Sequence, residues 1–293
     1  MKKINIDDCL YPKKIKKISK PPLCLYTEGN LNLLNTNSIA IIGSRAASED
    51  GINLAQKFAT ELSQIGLTIV SGLARGIDTA AHNGSYNQIG KTIAVLGGGF
   101  NRIYPPENLD LYNKILNNDG LVISEYSPDE EAKSKNFISR NRIISSLALG
   151  VLVIEAKSKS GTSKTAKIAK KQGKTVFALP HEIGNSHGIG TNRLIKNGAI
   201  LTTETLDILN TLKLVKYKEE YLKLNDSNYS KPKIEFSNSK QSSIFGFISN
   251  TPISANDLSR KTGYTINEIL STLFIFEMNG YIKKVSGGYI SCT

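Results

Sequence analysis

Cysteine is scarce in this chain of 293 residues, which has only Cys9, Cys24 and Cys292. The three lie far apart and show neither the paired spacing of a zinc site nor that of a disulfide framework. No stretch approaches the roughly 18 uninterrupted apolar residues of a membrane span. Acidic residues and a proline follow the basic N-terminus, where a signal peptide needs an apolar core. We therefore expect a reduced, cytoplasmic protein without membrane attachment.

Acidic residues are fewer than basic ones. The sequence has 37 Lys and Arg against 25 Asp and Glu, a formal net charge of +12 with a pI near 9.4. Such an excess favours polyanionic partners such as nucleic acid or an anionic membrane. The alternative is a basic proteome or a solvated surface, because an AT-rich genome enriches Lys, Ile and Asn, which are abundant in this chain. Charge alone does not decide between these two explanations.

Short apolar runs alternate with longer amphipathic segments between residues 39 and 213. Each run has the length and β-branched composition of a buried parallel strand, whereas residues 51–65 have helical spacing. The runs are 39–42, 67–70, 92–96, 121–124, 151–154 and 175–179. This alternation predicts a doubly wound α/β domain with a parallel sheet covered on both faces.

Composition marks further segments on either side of this predicted domain, 39–213. Residues 1–38 are interrupted by prolines and lack a helical period, which predicts an extended lead-in packed on the core. Residues 214–240 are rich in Lys, Ser and Asn, as in a linker, with room for a short helix at the start. Residues 241–293 predict three helices, with N-caps at Ser254 and Thr265, and then a hairpin. That order is typical of a small C-terminal winged-helix domain.

Small or polar residues follow nearly every predicted strand. They are residues 43–45, 71–72, 97–99, 125, 155–156 and 180–181. In an open α/β sheet the ligand crevice lies outside the carboxyl ends of the strands, where these loops gather. We therefore expect one shared site, and its composition predicts a ligand that carries phosphate.

Two of these loops suit a phosphate group in particular. Ser44 supplies a hydroxyl, and Arg45 supplies a guanidinium that can fork onto a phosphate. Ser160 and Gly161 open a predicted helix, whose first amides and hydroxyls can bind an anion. Lys164, together with neighbouring lysines, adds positive field there.

A third segment places Arg140, Asn141 and Arg142 at the predicted start of a helix, with Phe137 one turn before. Two guanidiniums and an aromatic ring suit stacking on a base while neutralising its backbone. The helix dipole disfavours cations at a helix start. We therefore expect compensation there, either from a bound anion or from an acidic neighbour such as Glu125.

Residues 71–82 combine small residues with charged ones. Such a loop can present amides to an anion, and Arg75 could contribute a cation. Asp78 is better explained as a partner of the helix N-terminus, whereas a salt bridge to Asp78 is the weaker explanation of Arg75. His82 could serve as a base, but its place on an alanine-lined helix face predicts a packed core histidine.

Several patterns of cofactor and catalytic sites are missing. The turn at 43–45 lacks the second and third glycines of the dinucleotide fingerprint, and the GxxxxGK[ST] spacing of ATP-binding loops is absent. His181, Glu182 and His187 match no metal-ligand spacing. No Ser-His-Asp order, close carboxylate pair or reactive thiol emerges. The sequence predicts a binding site without cofactor, metal or catalytic residues.

Seven segments together resemble, in order, the DprA/Smf family of DNA-processing proteins. They are GSR (43–45), SGLARGIDTAAH (71–82), LGGGFNRIYPPEN (96–108), SEYSP (124–128), FISRNRIISSLALG (137–150), VIEAKSKSG (153–161) and GTNRLIKNGA (190–199). The resemblance implies an extended Rossmann-like domain that forms a homodimer, with a winged helix as a familiar appendage. It also implies a non-enzymatic protein that binds single-stranded DNA, protects incoming DNA and helps load a RecA-type recombinase during natural transformation and recombination.

The motif match also implies site residues. Arg45, Arg140 and Arg142 would grip phosphates; Ser44, Asn141, Ser160 and Gly161 would line the pocket; Phe137 would lie nearby; and Arg75 lies in a matching loop. This chain departs from the family at Lys164, which stands where an apolar residue is usual and could add a DNA contact. It departs again at His181, which stands in place of the usual glycine. The resemblance therefore does not decide the geometry of this turn.

Two other functions compete with this one. Rossmann-like phosphoribohydrolases cleave a nucleotide's glycosidic bond with a PGGxGTxxE signature, but this chain has Lys164 and Ala166 where an acid is needed. A transcriptional regulator would need a basic recognition helix. Residues 265–279 are instead apolar and acidic, which suits protein contacts better than duplex DNA.

Overall fold

The computed structural model describes residues 1–157, 160–228, 236, 239–249, 251–279 and 281–291. The chain divides into two compact units, Met1–Leu222 and Lys223–Thr293. Helix α9 (Val215–Asn228) occupies the first half of the predicted linker. Residues 229–235 and 237–238 of that linker lie outside the described part of the chain, and so does Cys292. None of the described helices combines the length and apolar character that a membrane span requires.

Nine strands form one sheet in the first unit, in the order β1-β2-β6-β5-β4-β3-β7-β8-β9. They are β1 (Lys2–Asn5), β2 (Cys24–Gly29), β3 (Ser38–Ile42), β4 (Thr68–Ser71), β5 (Thr92–Val95), β6 (Leu121–Ser124), β7 (Gly150–Val153), β8 (Thr175–Ala178) and β9 (Ile200–Leu201). Every pairing from β6 to β9 is parallel. Strands β3 to β8 coincide with the six apolar runs, so the prediction of a doubly wound, mostly parallel sheet is confirmed.

The N-terminal segment contributes two strands to the sheet itself. Strand β2 pairs antiparallel with β6, and β1 pairs antiparallel with β2. The residues of β2 alternate between buried and partly exposed, the period of a strand with one covered face. The prolines between β1 and β2 masked this pattern in the sequence. Short helix α1 (Lys13–Lys16) connects the two strands and buries Ile15 completely.

Two layers of helices cover the sheet. The α5/α6 layer consists of α1, α5 (Ser134–Leu147), α6 (Gly161–Lys171) and α7 (Ile189–Lys196). The α2/α3 layer consists of α2 (Glu49–Gln64), α3 (Ile77–Ser85) and α8 (Thr205–Thr211), while α4 (Leu109–Asn117) packs on a separate cluster. Strand β3 shows why both layers are needed. Ala40 and Ile42 pack under the first layer, whereas Ile39 and Ile41 pack under the second.

The second unit is a winged helix. Its elements are α10 (Ser239–Phe245), α11 (Ala255–Thr262), α12 (Ile266–Met278) and the hairpin strands β10 (Ile282–Val285) and β11 (Gly288–Ser291). Both predicted N-caps are confirmed. The Ser254 side chain accepts a hydrogen bond from the Asp257 amide, and Thr265 forms a reciprocal capping box with Glu268. Gly263 ends α11 in the left-handed conformation, φ 76°.

Candidate functional site

A cavity of about 460 Å³ opens at the carboxyl ends of β3 and β7, where the sheet reverses its winding direction. Open α/β sheets bind ligands at this switch point. The turn after β3, helix α5 and the start of α6 form its walls. Eight of the predicted site residues line it, namely Ser44, Arg45, Phe137, Arg140, Asn141, Ser160, Gly161 and Lys164. Arg75 and Arg142 are not among the lining residues.

Arg45 and Phe137 form a cation and aromatic platform at the cavity. The guanidinium carbon of Arg45 lies 4.9 Å from the centroid of the Phe137 ring. Arg45 is exposed, and no described residue forms an ion pair with it. The ring of Tyr104, which is 46% exposed, lies 5.5 Å from that of Phe137. Tyr104 is not among the predicted site residues; the signal that could have found it is a large aromatic residue following a glycine-rich strand end.

The start of α6 provides polar groups on the other side of the cavity. Ser160 is the N-cap, and its hydroxyl accepts a hydrogen bond from the Ser163 amide at 3.2 Å. The amides of Gly161 and Thr162 lie in the first turn, where helix amides have no partner within the helix. Gly161 is exposed, and a side chain there would meet no atom of the described residues within 4 Å. The Thr162 hydroxyl donates to the Gly43 carbonyl at 2.9 Å and ties α6 to the β3 turn.

Arg140 occupies the back wall of the cavity and is only 2% exposed. Its Nη1 donates to the carbonyls of Gly72, at 2.6 Å, and Val95, and its Nε donates to Asn141 Oδ1 at 3.2 Å. For Nη2 the described residues supply no hydrogen bond. Burial, helped by the nearby charge of Arg45 and opposed by Asp78, lowers the pKa of Arg140 to about 10. The guanidinium therefore stays charged near neutral pH while it holds the ends of β4 and β5.

A buried polar network adjoins Arg140. Asp78 accepts a hydrogen bond from the Gly72 amide at 3.1 Å, and burial raises the pKa of its carboxyl against the attraction of Arg140. His82 is fully buried, and burial, followed by the charge of Arg140, lowers its pKa to about 3. Its Nε2 accepts from the Leu73 amide, which leaves Nδ1 to donate to the Thr92 hydroxyl at 2.7 Å. The prediction of a packed core histidine is confirmed.

Helix α5 begins at Ser134, so the prediction that Arg140 and Arg142 stand at a helix start is wrong. Lys133, before the helix, makes no side-chain cap, and no cap residue in the sequence marked this start. Arg142 binds Glu125 through both terminal nitrogens at 2.6 Å each, and its Nε donates to the Lys20 carbonyl at 3.1 Å. The expected compensation for Arg142 therefore comes from the acidic neighbour. Its contact with phosphate stays a prediction.

Arg75 lies on the surface outside the cavity. It forms an ion pair with Glu107, and both side chains are about half exposed. The alternative partner expected from the sequence, Asp78, is buried and lines the cavity instead. Arg75 can thus reach a ligand only by leaving Glu107, and its DNA contact stays a prediction.

A second buried carboxylate, Glu155, holds the loops beside the cavity. It accepts hydrogen bonds from the amide and hydroxyl of Ser48, and His187 Nδ1 lies 3.2 Å from it. The Nε2 atom of His181, the departure from the family pattern, lies 2.9 Å from the Ile154 carbonyl at the end of β7. The described residues contain no cluster of three His, Cys, Asp or Glu side chains that could hold a metal ion.

Comparison with known proteins accounts for this combination of sheet, cavity and winged helix. Residues 2–213 match the family model of DNA recombination-mediator protein A, and residues 230–288 match that of the DprA winged helix domain. The chain belongs to the DprA/Smf family. It is 36% identical to protein Smf of Escherichia coli over 293 residues, which cover 98% of this chain and 76% of that protein.

Two solved DprA structures resemble the chain. DprA from Streptococcus pneumoniae matches with a TM-score of 0.68 and 42% identity, over 71% of this chain and 73% of that one. DprA from Helicobacter pylori, a protein that binds single-stranded DNA, matches with a TM-score of 0.65 and 32% identity, over 72% of this chain and 96% of that one.

Proposed function

We propose that this protein binds single-stranded DNA in the cavity at the ends of β3 and β7. The observation that carries the proposal is the exposed Arg45 stacked on Phe137, in the same cavity as Gly161 and Thr162, whose amides lie in the first turn of α6. Arg45, Lys164 and these amides would hold phosphates, while Phe137 would stack on a base. Ser44, Asn141, Ser160 and Gly161 would complete the lining. Cations beside an aromatic ring are the usual means of binding single strands without sequence preference.

Arg140 has a different part in this proposal. Three of its hydrogen bonds are committed to protein oxygens, so it positions the strand ends and contributes its charge to the back wall. Only Nη2 could donate to a bound phosphate. An alanine substitution at Arg140 would therefore mix a loss of folding with a loss of binding, whereas Arg45 separates the two.

We further propose that binding is not coupled to catalysis. The carboxylates beside the cavity, Asp78 and Glu155, are both buried and hydrogen-bonded to backbone amides. Asp78 lines the cavity, but its carboxylate is engaged by the Gly72 amide and the charge of Arg140, and Glu155 is not among the lining residues. These contacts support a structural role for both carboxylates. Lys164 and Ala166 stand where a phosphoribohydrolase would need its acid, and no observation favours that enzyme.

Membership of the DprA/Smf family supports a wider proposal. In the cytoplasm the protein would protect incoming DNA and help load a RecA-type recombinase during natural transformation and recombination. The test is recombinase filament formation on single strands coated with single-strand-binding protein. We expect the protein to accelerate filament formation. Protection of the strand from nuclease without this acceleration would support DNA protection and contradict recombinase loading.

We also propose a homodimer through the Rossmann-like unit. Strand β9 ends the sheet, and no described strand pairs with its outer side. Ile200 and Leu201 on this edge are 38% and 50% exposed. An uncovered apolar sheet edge favours pairing with a second copy. Sedimentation should show a dimer that the substitution Leu201→Lys weakens; an unchanged dimer would place the contact elsewhere.

The experiment that tests DNA binding compares fluorescent oligo-dT with matching duplex across a salt series. We expect Arg45→Ala to weaken single-strand binding about 10-fold to 100-fold, because a charge-assisted contact to phosphate is lost, and to lower the salt slope by about 0.7. Lys216→Ala is the matched control, because Lys216 is exposed on α9 beside the α2/α3 layer. Equal binding by Arg45→Ala and the parent would contradict the proposed site.

A further inference from the structure

The helices of the α5/α6 layer carry positive charge only. No Asp or Glu occurs within α1, α5, α6 or α7. Their basic residues are Lys13, Lys14, Lys16, Lys135, Arg140, Arg142, Lys164, Lys167, Lys170, Lys171, Arg193 and Lys196. All four helices pack on the same core cluster and therefore share one face of the sheet. Arg140 is buried, and Lys16 and Arg142 pair with Asp7 and Glu125 outside these helices, so the exposed charge of this face comes mainly from the remaining lysines and Arg193.

Helix α6 carries the most ordered part of that surface. Lys164, Lys167 and Lys171 are exposed and follow one another at intervals of three and four residues, which places them in one row along the helix. No described residue forms an ion pair with any of the three. Lys170, in contrast, points toward α7 and donates to the Asn197 carbonyl at 3.1 Å. The row spans about 10 Å at 1.5 Å per residue.

The direction of this row follows from the fold. Helix α6 connects the carboxyl end of β7 to the amino end of β8. It must therefore run from the cavity to the opposite edge of the sheet, and the row runs with it. Lys164 lines the cavity and begins the row.

Two more lysines stand at the far edge. Lys174 donates to the Ala148 carbonyl at 2.7 Å, and Lys14 donates to the Thr36 carbonyl at 2.8 Å. Burial lowers the pKa of both ammonium groups, and the charge of Lys174 lowers that of Lys14 further. Their positive charges are thus close together, and within the described part of the chain only neutral carbonyls accept their hydrogen bonds. A phosphate at this edge would relieve the repulsion.

We propose that a nucleic-acid strand held in the cavity continues along α6, with its phosphates following Lys164, Lys167 and Lys171 toward Lys14 and Lys174. The inference rests on the proposed function and extends it from a pocket to a track. The occupant is a single strand, because one row of ammonium groups on one helix can neutralise one phosphate backbone. The track also explains why this layer lacks acidic residues, which would repel that backbone.

The test measures binding of a short and a long oligo-dT. The short one has about six nucleotides, which is within the usual size of a single-strand binding site, and the long one has about 20, which exceeds it. The variant is Lys167→Gln with Lys171→Gln. Lys213→Gln with Lys216→Gln is the matched control, since both lysines are exposed beside the α2/α3 layer. Lys167→Arg with Lys171→Arg serves as the rescue variant, because it keeps both charges.

We expect the α6 double variant to bind the long oligonucleotide about 10-fold more weakly at low salt, with a salt slope smaller by about 1.4 for two lost phosphate contacts. The short oligonucleotide should change by less than about twofold, because it stays in the cavity. The control and the rescue variant should match the parent with both lengths.

Three results would overturn the track. Unchanged affinity of the α6 variant for the long strand, while Arg45→Ala loses both lengths, would leave the cavity site standing without the track. An equal loss in the Lys213 and Lys216 control would reduce the effect to general surface charge. A parent protein that binds neither length would remove the proposed function itself.

Discussion

The two helical layers of the first unit cover the same sheet with similar apolar cores, yet their charges are opposite. Helix α2 carries Glu49, Asp50 and Glu61 against a single Lys57, and α3 and α8 add only acidic residues. The α5/α6 layer has no acidic residue in its helices. Core packing constrains only the inward side chains, so the outward ones can differ. The charge of this unit is therefore unevenly distributed between its two helical layers.

The same contrast occurs within the cavity. Arg45 and Arg140 both line it, but Arg45 is exposed on an aromatic ring and Arg140 is buried among carbonyls. One guanidinium is available to a ligand, and the other holds the protein together. Exposure and hydrogen-bond partners, rather than residue type, separate binding from structural arginines.

The largest expected effect concerns Arg140. Arg140→Ala would leave the Gly72 and Val95 carbonyls without their donor and remove the charge that faces buried Asp78. We expect the free energy of unfolding to fall by about 3–5 kcal/mol, as for other broken buried charge networks. Urea unfolding measures the loss. A change below about 1 kcal/mol would show that the cavity wall does not depend on this side chain.

His82, in the α2/α3 layer, should make stability depend on pH. Its pKa is about 3 in the folded protein and about 6.5 in the unfolded chain, so only the unfolded chain takes up this proton between those values. The contribution of His82 to the free energy of unfolding is complete above pH 6.5 and is lost as pH falls, at about 1.4 kcal/mol per pH unit. Lowering the pH from 6.5 to 5 should therefore reduce the free energy of unfolding of the parent, measured in urea, by about 2 kcal/mol.

The control for this prediction is His82→Gln. Its side chain keeps a donor and an acceptor but does not titrate, so its stability should fall less over the same pH interval. Parallel curves for parent and variant would assign the loss to carboxylates elsewhere.

Thr162 connects the two sides of the cavity, and its effect should be smaller. Thr162→Val removes the hydrogen bond to the Gly43 carbonyl and keeps the volume of the side chain. We expect a loss of about 1 kcal/mol in the free energy of unfolding. Thr162→Ser, which retains the hydroxyl, should restore most of it; equal losses in both variants would point to packing instead.

The smallest effect is expected on the opposite layer. Lys57 lies on α2 and pairs with Glu61 at 3.8 Å across one helical turn, with its side chain 63% exposed. Lys57→Gln should change single-strand affinity by less than about twofold and stability by less than about 0.5 kcal/mol. A loss as large as that of the α6 variant would contradict the functional difference between the layers.

The winged helix adds a third surface, which carries neither of these charge patterns. Within α12 no Lys or Arg occurs, and the exposed side chains include Phe274 and Met278, at 64% and 73%. A helix that enters a major groove usually brings basic side chains to the phosphates. The sequence-based interpretation that this helix suits protein contacts better than duplex DNA agrees with its exposed apolar residues.

Local patterns in the sequence were enough for much of the fold. Six strands, the winged-helix N-caps at Ser254 and Thr265, and the buried role of His82 follow from short-range periodicity and capping chemistry. The rule that parallel strands end at one edge then brought eight predicted residues to one cavity. The start of α5 was missed because Lys133 makes no cap, and β2 was missed because prolines precede a short alternating run.

What the sequence determined by itself is the order of strands and helices and the loops that meet at the site, because these depend on neighbours along the chain. Only the tertiary structure decided which charged groups are free. Arg140 and Arg142 are two residues apart, yet one is enclosed by the ends of β4 and β5 and the other is paired with Glu125. Partners distant in the sequence set burial and pairing, and no local pattern encodes them.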